Sequence, residues 1–164
     1  MANIRYVKAT QELCNYIADH LKKEDFAEIV GATGVGPRRE IDFCCRYSEW
    51  SMVALIDEKP VAVFGIRPVD PINRIGVVFL LTTEETLRHK IMTGRETKRA
   101  MRYFLEDWEM LYNYCDEGNK LVLRWLKFLG AKIYPAEPYG FFGRPYHRFE
   151  FTRQGIAKRY NKEA

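Results

Sequence analysis

A chain of 164 residues has the length of one domain and can bury a core without disulfide or metal staples. Its 47% apolar and 14% aromatic content excludes a disordered chain. No stretch has the apolar length of a membrane span, and the opening MANIRYVKAT has no secretion-type apolar run. Cys14, Cys44, Cys45 and Cys115 lack metal-ligand spacing and two of them are adjacent, which points to reduced thiols in a cytosol. The net charge of +4, from 26 Lys and Arg against 22 Asp and Glu, is unevenly spread. Arg88, Lys90, Arg95, Lys98, Arg99 and Arg102 fall in one window, either a solvated helix face or an attractor for phosphate groups.

In chain order, IRYVKAT alternates as a short strand and ends in Thr10, an N-cap for the helix QELCNYIADHLKK, where Leu13, Cys14, Ile17, Ala18 and Leu21 recur at helical spacing. GATGVGP breaks the pattern and reads as a connector; it has neither the Gly-x-Gly-x-x-Gly nor the Lys-Ser/Thr ending of phosphate-cradling loops. RREIDFCCRYS reads as a second helix. WSMVALI and VAVFGIR flank DEKP as a hairpin, and IGVVFLL, nearly all apolar, reads as a central strand. TTEETLRHKIMTGR leads into the helix ETKRAMRYFLEDWEML with core residues Met101, Phe104, Leu105 and Trp108. LYNYC is a strand, NKLVLRWLKFLG a helix stopped by Gly130, and AKIYP and HRFEFTR a final strand pair. This order, strand, two helices, three strands, helix, strand, helix, two strands, predicts an α/β (α+β) domain with helices on both faces of a mixed sheet.

The order resembles the GNAT acyltransferase fold. The most specific piece is GNKLVLRWLKFLGAKI, where an Asn opens a helix and a glycine closes it eleven residues later, at Asn119 and Gly130. Four stretches in order, SEWSMVALIDEKPVAVFGIRPV, GVVFLLTTEE, LYNYCDEGNKLVLRWLKFLGAKI and GFFGRPYHRFEF, resemble a GNAT-like family encoded by bacteriophages. That family includes putative acetyltransferases and the small internal virion protein of short-tailed phages. The likeness covers roughly residues 48–152. It implies a mixed, mostly antiparallel sheet with a splay between the fourth and fifth strands. Length and the absence of a linker signal give a single domain over residues 1–152 with a C-terminal tail over residues 153–164, whose QGIAKRYNKEA reads as frayed.

The resemblance also implies a site. Acetyl-CoA would lie in the splay, against Leu81 and Thr82 at the end of the central strand, with the Asn119 amide capping its helix and reaching the cofactor arm. The family's pyrophosphate loop, Gln/Arg-x-x-Gly-x-Gly/Ala, corresponds to IMTGRETKRAM, which offers Gly94, Arg95, Glu96, Thr97 and Lys98. Only one of the two glycines is present, and Glu96 places negative charge near the expected phosphates, although a first-turn acid also suits the helix dipole. Many members carry a tyrosine seven residues after the Asn as general acid; here that position is Leu126, which has no proton to give. Glu84 is the first choice of general base, with Asp116 as the other named carboxylate and Glu85 and Glu117 nearby. Cys115 sits near the splay, where a small buried side chain closing the strand outweighs a nucleophile.

Three functions compete on this basis. One is acyl transfer from acyl-CoA to an amine acceptor, protein or small molecule, in a host cytoplasm. The second is a phage structural protein that works among other virion proteins on the same scaffold without catalysis, favoured by the degraded loop and by Leu126. The weakest is nucleic-acid binding through the basic window, for which no recognised motif is present.

Overall fold

Two residues with left-handed backbones, Asp57 (φ 48°) and Glu58 (φ 65°), close the first hairpin in the computed structural model, which describes residues 2–163. Positive φ at both central positions is the turn geometry whose twist matches that of the flanking strands. Those strands, β2 (Trp50–Ile56) and β3 (Lys59–Asp70), lie between β1 (Ile4–Lys8) and β4 (Ile75–Thr82), and all neighbours here are antiparallel. On the far side, β5 (Met110–Asp116) pairs antiparallel with β7 (Arg144–Thr152), and β6 (Lys132–Tyr139) forms the edge. The seven-stranded order is β1-β2-β3-β4-β5-β7-β6. Its one parallel junction, β4 with β5, joins the halves through three register pairs: Ile75 with Met110, Gly76 with Leu111 and Val77 with Tyr112.

Both faces are covered. Helices α1 (Gln11–Asp19) and α3 (Pro37–Tyr47) bury Cys14, Ile17 and Ile41 against Val53, Leu55, Val63 and Phe79. On the opposite face, α4 (Lys90–Asp107), α5 (Lys120–Leu129) and α6 (Arg153–Glu163) bring Met101, Phe104, Leu105, Leu126, Leu129 and Ile156 onto Ile66, Val78, Leu111, Phe149 and Phe151. Each fully buried aliphatic side chain contributes roughly 1.5–3 kcal/mol relative to exposure. The caps follow the sequence: Thr10 accepts from the Leu13 N–H, Asn119 from the Val122 N–H, and Gly130 ends α5 at φ 98°. None of the described helices is long and apolar enough to cross a membrane.

The mixed, mostly antiparallel sheet with helices on both faces and the junction between the fourth and fifth strands agree with the sequence reading. Three local expectations are corrected. A helix that the apolar pattern hid, α2 (Lys23–Thr33), runs through Gly31, Ala32 and Thr33, so only residues 34–36 connect α2 to α3. Its inward positions include Asp25 and Gly31 while Phe26 is half exposed, so apolar periodicity is absent. Helix α4 starts six residues before the glutamate assigned to its beginning, after a single 3-10 stretch at Glu84–His89, and Trp108 lies just past its end, 1% exposed. The expected frayed tail is α6: Ile156 is buried, and the Arg153 guanidinium donates to the carbonyls of Leu105 and Glu106.

Candidate active site

Beyond Val77 and Tyr112 the paired register of β4 and β5 ends. The next residue of β5, Asn113, spans the opening gap with its side chain, donating from Nδ2 to the Val78 carbonyl at 2.8 Å. Past that bridge, helix α2 serves the strand ends. Asp25 Oδ2 accepts from the Thr82 N–H and hydroxyl, both at 3.2 Å, and the Lys22 N–H donates to the Thr82 carbonyl at 3.1 Å. One turn on, Glu28 Oε1 accepts from the Asp116 N–H at 2.7 Å and Oε2 from Asn119 Nδ2 at 3.0 Å. Residues three apart share a helix face, so one helix holds both parted strands. Main-chain groups of a strand alternate between its two edges. With Val78 and Thr82 turned to the gap and partnered as above, Leu80 is the residue of β4 whose N–H and C=O face the gap between them.

The gap encloses a cavity of about 210 Å³ whose walls include Leu80, Thr82, Glu28, Cys115, Leu126 and Tyr146. A second hollow of about 170 Å³ shares Lys22, Thr82, Val122 and Trp125 with it and adds Leu87, Lys90 and Thr93. The two form a trough leading to the start of α4. On the other side Tyr114 and Tyr139 stack with ring centroids 3.8 Å apart, and both line the larger cavity with Glu40.

Burial shapes the electrostatics. Glu28 is pushed up to about 7, first by desolvation and further by the charge of Asp25, against the pull of its donors. Asp25 is raised as well, burial outweighing its Lys22 partner at 3.7 Å and the Thr82 donors. Cys115 is held as a thiol by burial and by the neighbouring Glu28 carboxylate, which removes it as a nucleophile. Tyr146 rises to about 12, chiefly by burial, and its hydroxyl donates to the Glu28 carbonyl at 2.9 Å.

The residues singled out in the sequence do not all meet here. Leu81, Thr82 and Thr97 line the cavity, and Leu126 stands in its wall, 5% exposed. Asn119 caps α5, but its amide nitrogen goes to Glu28, so both ends of the amide are engaged within the chain. Asp116 is buried at the end of β5, paired with Arg144 at 2.6 Å, and its Oδ1 accepts from the Gly118 N–H. Glu84 is exposed in the 3-10 stretch, outside the cavity wall. Gly94, Arg95, Glu96, Thr97 and Lys98 belong to the second and third turns of α4 and do not form a loop at its start. Their N–H groups are consumed by the helix, and the 3-10 stretch Glu84–His89 runs without a break into it, so that its i→i+3 bonds already take up the Lys90 N–H in the first turn of α4. That turn holds no acid; Glu96 faces away from it and accepts from the Tyr6 hydroxyl at 2.7 Å. Arg95 is exposed, and Lys98 Nζ lies 5.4 Å from the Phe128 ring centroid. Glu28 and Asn113 escaped the sequence reading. A carboxylate one turn after Asp25 is a visible signal only once KEDFAEIV is recognised as helix.

A seven-stranded sheet with this one short parallel junction, opening onto a trough between helices, is the fold of the GNAT acetyltransferases. Spermidine N-acetyltransferase from Vibrio cholerae, solved in complex with CoA and spermine, superposes with a TM-score of 0.73 at 10% identity, over 94% of this chain and 98% of that one. An acetyltransferase of the GNAT family from Streptococcus pneumoniae gives 0.63 at 9% identity, over 92% and 99%. A further structure described as a putative acetyltransferase gives 0.72 at 12% identity, over 95% and 88%. No family model matches the sequence, and no curated protein matches it. Identities this low establish a shared fold and nothing finer.

Proposed function

We propose that the protein is an acyl-CoA-dependent N-acyltransferase that acylates an amine, with acetyl-CoA as donor. The observation that carries this reading is the gap itself: a strand edge whose main-chain groups at Leu80 face it, beyond the last register pair of β4 and β5, at the bottom of a trough that ends on the first turn of α4. An extended amide-containing arm bonds to such an edge as a further strand would. Phosphates suit the positive end of α4, with the Lys90 ammonium beside it and no acid in the first turn. When bound, the cofactor supplies an activated acyl thioester; the chain positions it and excludes water with Leu126, Trp125 and Phe149. Holding both reactants in one narrow gap provides most of the rate such a transfer needs, since well-oriented groups reach effective molarities of about 10⁵–10⁸ M. The neighbour with CoA and spermine supports an amine as acceptor.

The alternative, a phage virion or assembly protein on the same scaffold, rests on the sequence resemblance and on Leu126, the proton-less residue in the cavity wall. A thermal-shift titration with acetyl-CoA separates the two. Saturation at 100 times Kd adds about 2.7 kcal/mol to stability, and Lys90→Ala weakens binding. No shift at millimolar acetyl-CoA retires acyl transfer and leaves the scaffold alternative, which detection of the protein in purified particles supports.

A further inference from the structure

We infer that Glu28 is the catalytic proton acceptor of this site, taking a proton from the ammonium form of the acceptor, so that the site selects alkylamines that arrive as cations. This rests on the acyl-transfer reading and adds to it the residue and the ionic form of the substrate.

Position comes first. Glu28 lines the cavity, and its two oxygens are fixed by donors that cannot wander: the main-chain N–H at the end of β5 and the side-chain amide of the α5 cap. Each carboxylate oxygen has two acceptor sites; the Cys115 thiol also donates to this carboxylate, so three of the four are filled and one remains for a substrate proton. The other acids are spent or misplaced. Asp25 is occupied by Lys22 and Thr82, Asp116 by Arg144 and the Gly118 N–H, Glu40 accepts from the Cys44 thiol on the tyrosine side of the cavity, away from the parted strand ends, and Glu84 lies outside the wall.

Charge comes second. The groups around Glu28 are Lys22 just before its helix and Asp25 within it, Cys115 and Asp116 from β5, Arg144 and Tyr146 from β7, and Glu40 of α3 on the tyrosine side of the cavity. Lys22 balances Asp25 and Arg144 balances Asp116, while the thiol and the phenol stay neutral at ordinary pH. Glu28 is the remainder at the parted strand ends, a carboxylate with no cation beside it in a gap walled by Leu80, Leu126 and Phe149, and the cavity's further acid, Glu40 on the tyrosine side, adds charge of the same sign. A cation is the ligand that such a site lacks, and the raised ionisation of Glu28 places its exchange near neutrality, where proton transfer is most effective.

The step balances without a further acid. A nitrogen–hydrogen bond of the ammonium breaks and an oxygen–hydrogen bond forms on Glu28. The freed amine nitrogen bonds to the acyl carbon, the carbon–sulfur bond breaks, and its electron pair leaves with sulfur. The second proton lost by nitrogen goes to that thiolate, giving amide and thiol, and Glu28 then returns its proton to water. A leucine at position 126 is compatible with this sequence because the substrate nitrogen carries both protons required.

The experiment pairs two readouts on the whole chain. Proton–nitrogen NMR between pH 5 and 9 follows the Asp116 main-chain amide and the Asn119 side-chain amide, whose acceptors are the Glu28 oxygens. Both titrate together with a midpoint near 7, and the Asp116 response vanishes in Glu28→Gln. Kinetics with acetyl-CoA and n-butylamine show a rising limb of kcat/KM near the same pH. Glu28→Gln loses that limb and about 10²–10⁴-fold in kcat while binding acetyl-CoA as wild type does, and n-butanol is not acylated. Glu28→Asp, which keeps the charge on a shorter arm, retains the limb at reduced kcat and serves if the glutamine variant does not fold. Amides that do not titrate, or a variant that keeps the limb, overturn the assignment and leave acyl transfer standing. Acetyl-CoA that fails to bind the wild-type chain overturns both.

Discussion

Asp25 and Glu28 stand one turn apart on α2, and each takes a main-chain N–H from a different strand, Thr82 of β4 and Asp116 of β5. A helix thereby supplies an acceptor for one main-chain N–H on each strand where β4 and β5 no longer pair. Leaving such a group unsatisfied costs about 1–3 kcal/mol, which sets the stakes for changes at these positions.

Asp25→Ala removes the partner of Lys22, whose side chain is 11% exposed, and both Thr82 donors lose their acceptor. Breaking a buried pair from one side destabilises by about 3–5 kcal/mol. Denaturant unfolding of Asp25→Ala should show that loss, and adding Lys22→Met should recover part of it, because the uncompensated ammonium is then gone. Equal stability of the single and double variants would place Lys22 in contact with water.

Asn113→Ala deletes the amide that closes the mouth of the gap and leaves the Val78 carbonyl without its 2.8 Å donor. The expected loss is about 1–3 kcal/mol. Hydrogen exchange should quicken at the neighbouring junction, Val77 with Tyr112, and unchanged exchange there would show that the junction holds without the bridge.

Glu28 links stability to pH. Its folded value of about 7 lies above the ordinary 4.5, so between those limits the folded chain keeps a proton that the unfolded chain has released. The contribution is present in full below pH 4.5 and is lost as pH rises through 7. Between pH 4.5 and 7, at 1.36 kcal/mol for each pH unit, the loss is about 3 kcal/mol. Denaturation at pH 4.5, 6 and 8 should show the wild type losing this much relative to Glu28→Gln, which cannot titrate. Parallel curves would mean that Glu28 is solvated.

Gly140→Ala tests the support of α2 from the β6–β7 turn. Gly140 has φ 76°, and a Cβ there would lie 2.5 Å from the Ala32 carbonyl oxygen and 2.7 Å from Ala32 Cα. Overpacking against backbone costs about 1–3 kcal/mol, with roughly 1–2 kcal/mol more for the left-handed conformation. A melting temperature within error of wild type would show that the turn is free to move off the helix.

Most of the frame could be read from the chain because its signals are local. IGVVFLL is apolar on both faces and became the central β4; Asn119 and Gly130 bracket α5 as cap and stop. The site was less legible because its key helix is built to hold polar groups. In α2 the inward positions include acids, one phenylalanine faces out, and the helix runs into Gly31, so hydrophobic periodicity fails where the chemistry is concentrated. IMTGRETKRAM was matched to a phosphate loop by resemblance to the family's motif, with the helix expected to open at Glu96, whereas α4 already runs through it and Gly94 is tolerated there as a buried residue. Asn113 shows the same limit: nothing in LYNYC tells which strand edge lacks a partner, and the amide's bridge to Val78 depends on where two distant segments diverge.

The tip of the β6–β7 hairpin hangs from α2 at two points: the Phe141 N–H donates to the Ala32 carbonyl at 2.7 Å, and the Tyr146 hydroxyl to the Glu28 carbonyl. Phe141 and Phe142 beside these anchors are 72% and 61% exposed. Two greasy rings on the outside are thereby tethered through main-chain bonds to the helix that carries Asp25 and Glu28, so a label at the tip sits on the outer end of the same connection that holds the residue inside the gap.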